Sequence, residues 1–476
     1  MDPHAQYANP LASRYASQEM IRLWSEQNRI GLWRQLWIAL AQTQRSLGLP
    51  ISQEQLDALA QAATTIDFAR ARDYESRLRH DVMAHVHAFG DAAPAAKAII
   101  HLGATSCYVT DNADLILIRQ ALRFVRDDLV RTIDALAAFS LRWKDLPCLG
   151  YTHFQPAQLV TVGKRAALWC QDLVLDLQEV ERRLDHLPFL GAKGTTGTQA
   201  SFLALFDGDQ ARVDALDRSI AELFGFKTLC PVSGQTYPRK IDAQVVGALG
   251  GLATSAHRFG TDLRLLQHES ELAEPFEADQ IGSSAMAYKR NPMRAERMCS
   301  IARYLSCLPP ALEQTAAVQW LERTLDDSAL RRIVIPQAFL AADAILRLYL
   351  NIIPGLEVRP AVIARHVAEH LPEMATENLL MAGVRAGGDR QALHERIRQH
   401  SQAANERRNS PDGHFDLIDR LKSDPDFARL DLQSILNPES YCGCAPAQVQ
   451  NFYDQVIRPI LARYPQLPPK KVELTI

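Results

Sequence analysis

The stretch Thr110–Lys144, TDNADLILIRQALRFVRDDLVRTIDALAAFSLRWK, contains no glycine or proline. Within it Leu115, Ile118, Leu122, Val125, Leu129, Ile133 and Leu136 recur at intervals of three and four, the spacing that lines one face of an α-helix. Thr110 or Asp111 offers an N-cap, Asp114 supplies an acidic group for the first turn, and Pro147 stands beyond the end. At about 1.5 Å per residue this predicts a rod of about 50 Å. A helix that long needs neighbours of similar length.

Four such neighbours are predicted: Ala157–Leu187, Lys240–Leu272, Met293–Glu322 and Asp326–Asn351. In the second of these, Gly247, Gly250, Gly251 and Gly260 each weaken helicity by about 1 kcal/mol relative to Ala, which suits a central helix closely approached by others. Pro309, Pro310 and Pro336 are expected to kink or interrupt the last two. A five-member bundle leaves apolar helix surface that a partner subunit would cover, so a homo-oligomer is expected.

Shorter helices are predicted on either side, among them Ser17–Leu47 and Ser52–Ala63 before the bundle. The fold class is therefore mainly α, in three helical regions: 1–105, a central long-helix bundle 106–358, and 359–476. The 476 residues are 47% hydrophobic and 22% charged, with a formal charge of −3, ordinary for a globular protein and offering no field for nucleic acid. Met1–Pro10 is polar and lacks the pattern of a secretory or transit segment. No uninterrupted apolar run reaches the roughly 20 residues of a membrane helix, so a cytoplasmic location without membrane partners is expected.

Phosphate-loop, dinucleotide, nucleophile-elbow and zinc-protease motifs are all missing from the sequence, which favours chemistry without a cofactor. Arg79-His80-Asp81-Val82-Met83-Ala84-His85-Val86-His87 gathers three histidines, but their spacing does not put them on one helix face and no Cys or acid completes a metal set. No metal is expected. His153, in Thr152-His153-Phe154-Gln155-Pro156, falls between two long helices, and imidazole is suited to giving a proton to a departing nitrogen. In Gly282-Ser283-Ser284-Ala285-Met286-Ala287-Tyr288-Lys289-Arg290-Asn291-Pro292, a serine becomes a base only where its alkoxide is stabilised, for which Lys289 and backbone N–H groups are available.

The Gly282–Pro292 segment resembles the signature loop of the fumarase/aspartase superfamily, and it occurs in the family's order with Gly103-Ala104-Thr105-Ser106 and His153. Within that superfamily the sequence is most similar to the adenylosuccinate lyases of the animal type. The likeness runs from Pro10-Leu11-Ala12-Ser13-Arg14-Tyr15 through Arg79–His85 and Gly194-Thr195-Thr196-Gly197-Thr198-Gln199 to Pro372-Glu373-Met374-Ala375-Thr376-Glu377-Asn378. It implies β-elimination of fumarate from two succinylated purine-pathway nucleotides, with no cofactor.

By this resemblance Ser283 takes the proton from the succinyl Cβ and His153 protonates the leaving nitrogen. Lys289 and Asn291 hold carboxylates, and His80 is a second essential histidine. Arg14, Tyr15, Arg79, Asp81, Thr105, Ser106, Thr152, Gln235, Arg297, Arg323, Ser328 and Arg332 occupy positions similar to substrate contacts, and arginines suit a ligand with two carboxylates and a phosphate. The resemblance further implies a homotetramer whose sites are shared among three subunits. One departure is Ala287, where the family commonly has proline; the loop is expected to be more mobile for it. Sibling lyases acting on argininosuccinate, aspartate or malate, and an inactive structural relative, are the rival readings.

Overall fold

The computed structural model of the chain describes residues 5–411 and 413–474; residues 1–4 of the polar start and the last two residues lie outside the described residues. A short turn of helix, Leu11–Tyr15, precedes α1 (Gln18–Leu23), α2 (Glu26–Ser46), α3 (Gln53–Ala62), α4 (Phe68–Leu78) and α5 (Asp81–Ala92). The run predicted as one helix from Ser17 to Leu47 is divided, because the Ser25 hydroxyl accepts from the Asn28 N–H and starts a second helix.

The centre consists of α6 (Ser106–Arg142), α7 (Val162–His186), α8 (Ala200–Leu205), α9 (Gln210–Leu223), α10 (Lys240–His268), α11 (Met293–Ser306), α12 (Pro309–Ala317) and α13 (Asp327–Ile352). At 37 residues, α6 is about 55 Å long. It packs on α7 and α13, while α10 lies against α7, α11, α12 and α13. All seven periodic side chains from Leu115 to Leu136 are buried in this bundle. The C-terminal region adds α14 (Pro360–Met374), α15 (Thr376–Arg385), α16 (Arg390–Arg408), α17 (Leu417–Ser423), α18 (Leu432–Ile435), α19 (Ala445–Phe452) and α20 (Arg458–Ala462).

Several expectations about helix ends are corrected. α6 begins a turn earlier than Thr110, with Thr105 at its N-cap, and Asp111 and Asp114 serve instead as ion-pair partners of arginines. Ala157–Thr161 is not helix: β1 (Pro147–Thr152) and β2 (Gln155–Thr161) form an antiparallel hairpin, and α7 starts where the Thr161 hydroxyl accepts from the Lys164 N–H. The stretch Met293–Glu322 is two helices, since Pro309 and Pro310 open α12 at the positions where missing N–H donors cost nothing. Pro336 lies inside an unbroken α13.

Close approach by neighbours accounts for two of the α10 glycines. A Cβ on Gly260 would sit 2.7 Å from Cys299 Sγ, and one on Gly250 would sit 2.9 Å from Pro309 Cγ; Gly247 faces open space. Helix α13 is apolar and long enough to cross a membrane by composition, but 78% of its most apolar window is buried inside the protein. One hydrophobic cluster runs from Leu11 through the bundle to Ile460, and a second, including Leu379, Leu393, Leu417 and Phe427, lies within α15–α18 and their connections. Beside the bundle's end, β3 (Leu272–Ala273) pairs with β4 (Glu357–Val358), anchoring the segment that leads into Gly282–Pro292.

Candidate active site

A polar cleft of about 730 Å³ opens where α2, the α4–α5 junction and the first turns of α6 and α13 meet. It collects Arg79, His80, Asp81, Ser106, Gln235, Arg323, Ser328 and Arg332. Arg79 ends α4 in the left-handed conformation (φ 54°), which turns the chain so that His80 can cap α5. Through Nδ1 the His80 ring accepts from the Met83 N–H at 3.4 Å. That arrangement leaves the neutral ring's proton on Nε2, 3.3 Å from Ser106 Oγ. Asp81 Oδ2 receives Arg332 Nη2 at 2.5 Å. Burial alone would raise the Asp81 pKa, but the hydrogen bond and charge of Arg332, with the Val82 N–H, hold it below the usual carboxylate value.

The inner wall of the cleft is a largely buried ionic network. Arg239 donates to both oxygens of Asp111, at 2.9 and 3.2 Å, and to Asp327 at 2.6 Å. Arg331 reaches Asp242 at 2.7 Å, Asp114 at 3.0 Å and the Tyr237 hydroxyl at 2.5 Å. Arg323 spans both oxygens of Asp327 at 3.0 Å. Charges this far from water persist only when paired, and despite burial the surrounding carboxylates hold Arg331 above its ordinary pKa. The network fixes the starts of α6, α10 and α13 against each other, and so the cleft wall above them.

Sequence reasoning missed several wall residues: Glu26, Arg29, Glu75, Asp111, Asp114, Arg239 and Arg331. Arg29 stands out because its Nε is buried with no hydrogen-bond partner among the described residues. Its only signal in the sequence was a basic residue on an amphipathic helix, which reads as solvent-facing.

A second cluster forms around the Gly282–Pro292 loop. Ser283 Oγ accepts from the N–H groups of Ala285 and Met286 at 3.3 and 3.1 Å. The loop's neck is tight: a Cβ on Gly282 would meet Lys289 O at 2.0 Å, and Asn291 Nδ2 closes it by donating to Gly282 O at 2.7 Å. Lys289 is exposed. At α11, which follows the loop, the Arg297 guanidinium lies 5.6 Å from the Tyr15 ring, bringing Tyr15 and its neighbour Arg14 to this side of the bundle.

The third cluster is the hairpin tip. His153 and Phe154 both take positive φ, 52° and 56°, as a two-residue hairpin turn requires. Thr152, His153 and Phe154 are exposed there. Thr105 caps α6 next to Ser106. The cleft lining thus contains none of Thr152, His153, Ser283, Lys289, Asn291, Arg14, Tyr15 or Arg297.

Of the three histidines near residue 80, His80 and His85 both line the cleft and His87 does not. His87 stacks on Tyr74; His85 is buried edge-on to Trp33 and Phe68, where burial and the Arg34 charge lower its pKa to about 4. A separate apolar cavity of about 300 Å³, between the hairpin base and α14, lacks the polar groups an anionic ligand requires.

Comparison with known proteins places this geometry in context. Residues 40–305 match a family model described as "Lyase" and residues 372–452 one described as "Adenylosuccinate lyase C-terminus". The chain is 52% identical to an adenylosuccinate lyase of Saccharomyces cerevisiae over 95% of each chain. It is 49% identical to one of Schizosaccharomyces pombe over 100% of each, and 46% identical to one of Schistosoma mansoni over 98% of each. The fold resembles a fumarate lyase from Mesorhizobium sp. BNC1 (TM-score 0.78, 24% identity, covering 94% of this chain and 99% of that one). It also resembles a 3-carboxy-cis,cis-muconate lactonizing enzyme from Pseudomonas putida (TM-score 0.82, 23% identity, 95% and 100%). With full-length likeness at this level and both family models in place, the chain belongs to the adenylosuccinate lyase family, lyases of helical, fumarase-like fold that act on C–N bonds.

Proposed function

We propose that the chain eliminates fumarate from adenylosuccinate, giving AMP, and from succinylaminoimidazole-carboxamide ribotide, giving AICAR. The observation that carries the mechanism is the pair of backbone N–H groups aimed at Ser283 Oγ. Donors fixed on that oxygen stabilise an alkoxide, the form in which serine acts as a base. Ser283 takes the Cβ proton; the C–H electron pair passes into the adjacent carboxylate, held by Lys289 and Asn291. Its return forms the fumarate double bond as the C–N pair leaves with nitrogen, which His153 protonates. His80, Ser106 and the cleft arginines hold the anionic substrate.

Three observations support reading the site as shared among subunits of a homotetramer. His153 sits at an exposed hairpin tip, Ser283 on an exposed loop, and His80 in a cleft lined by neither. Leu168 and Leu175, one heptad apart on α7, are 39% and 57% exposed, and Trp320, Leu321 and Leu325 are more so; partner subunits would cover such surface. A cytoplasmic location and the division into regions 1–105, 106–358 and 359–476 belong to the same reading. The test is fumarate release, followed by ultraviolet absorbance, with both nucleotides. Turnover of both by the wild type and loss of at least about a thousandfold in Ser283→Ala are expected; turnover of neither, or a fully active Ser283→Ala, would overturn the assignment.

A further inference from the structure

The hairpin that carries His153 is a two-stranded ribbon, which has little rigidity of its own. Its ladder is also broken, since the register shifts between Leu149 and Tyr151, and Tyr151 faces Pro156, which has no N–H to donate. Arg165, in the first turn of α7, reaches beneath this break. Its Nη2 donates to Leu149 O at 2.5 Å, and its guanidinium lies 5.9 Å from the Tyr151 ring. That ring stands 5.7 Å from Phe154, the neighbour of His153.

The rest of the guanidinium faces a second buried charge. Among the described residues neither Arg165 Nη1 nor Glu271 Oε2 has a hydrogen-bond partner; the two atoms lie 4.0 Å apart, and the Glu271 side chain is fully buried. The other Glu271 oxygen is 2.9 Å from His366 Nδ1 on α14, and its backbone carbonyl accepts from Arg359 N at 2.9 Å. Glu271 also immediately precedes β3, from which the chain runs into the Ser283 loop. Opposite charges largely withdrawn from water, with side chains 14% and 0% exposed, each with an unsatisfied atom turned to the other, attract more strongly than they would at the surface.

We infer that Arg165 and Glu271 are positioning residues for His153, a buried pair that braces the hairpin from below so that the imidazole at its tip meets the leaving nitrogen. The inference rests on the reading of His153 as proton donor. Neither residue touches the substrate; their effect passes through the hairpin. Misplacing a reacting group by about 1 Å costs on the order of a hundredfold in rate, so losing one brace should be felt in turnover.

The experiment compares Arg165→Gln, Glu271→Gln, the double variant and His153→Ala in the assembled enzyme, measuring kcat, KM, the pH profile of kcat and thermal midpoint. Expected is a fall in kcat of roughly tenfold or more in each single brace variant, with KM changed less than about twofold. The alkaline limb of the profile, where the proton donor is lost, should move as well. The double variant removes both buried charges together; its thermal midpoint should recover while kcat stays no lower than in the singles, the signature of residues acting as one unit. Unchanged kcat in the single variants, or a KM that rises in step as kcat falls, would overturn the inference while His153→Ala remained inactive. A fully active His153→Ala would remove the proton-donor reading itself, and the brace with it.

Discussion

Arg332 and Asp81, 251 residues apart in sequence, meet across the cleft with Nη2 2.5 Å from Oδ2. The contact ties the first turn of α5 to the first turns of α13. Because the Arg332 side chain is 52% exposed, the pair contributes no more than about 1 kcal/mol to folding; its value lies in aiming the guanidinium.

Asp81→Asn is therefore expected to raise KM for the nucleotides several-fold with little change in thermal midpoint. A carboxyl whose folded pKa is depressed stabilises the fold above its unfolded pKa and loses that contribution as pH falls through the folded value. For Asp81 the loss begins only below about pH 4. Steady-state kinetics and thermal melts at neutral pH check this; a large thermal loss with unchanged KM would make the pair structural.

Asp327 is the shared partner of Arg239 and Arg323, and its side chain is fully buried. Asp327→Ala leaves Arg239 with too little negative charge in a dry site, at an expected cost of about 3–5 kcal/mol in unfolding free energy. Denaturant unfolding measures this; a loss below about 1 kcal/mol would show that the network tolerates the vacancy.

Burial lowers the pKa of both His85 and His101 from 6.5 to about 4, with help from the Arg34 charge for His85. His101 Nδ1 accepts from Trp37 Nε1 at 2.9 Å, so its neutral form is the one the fold uses. A base with a depressed folded pKa favours folding fully above its unfolded value and progressively less as pH falls from there to the folded value. The thermal midpoint should thus drop by roughly 5 °C or more between pH 6.5 and 4, and His101→Asn, which keeps an acceptor, should flatten part of the slope. A slope identical in the two proteins would contradict the assignment.

Among the described contacts the Ala287 N–H makes no hydrogen bond, so a proline there removes no backbone bond while restricting the unfolded ensemble of the loop. Ala287→Pro should slow proteolysis within Gly282–Pro292 and change kcat more than KM. Equal proteolysis and equal kinetics in the two proteins would count against a role for loop mobility.

The long helices were legible because burial on one face leaves a period in the sequence, and Leu115 to Leu136 carry it without interruption. The hairpin was not, because Leu159 and Val160 continue an apolar spacing into α7, and its turn uses His153 and Phe154 at positive φ where glycine would have marked it. At the site, Arg79, His80, Asp81, Ser106, Gln235, Arg323, Ser328 and Arg332 are legible through the resemblance, and the fold gathers them. As members of the ion-pair network Asp111, Asp114 and Arg331 leave no mark in the sequence, since a buried ion pair and a solvated charge look alike until the partner helix is in place. For the same reason Asp111 was mistaken for a cap.

The shared site is tested most directly by mixing Ser283→Ala and His153→Ala subunits, each nearly inactive alone, and reassembling them. If each site draws the two residues from different subunits, random mixing restores up to roughly a quarter of the sites to an intact set, and fumarate release should recover in proportion. Mixed tetramers verified by mass that show no activity above the parents would contradict it.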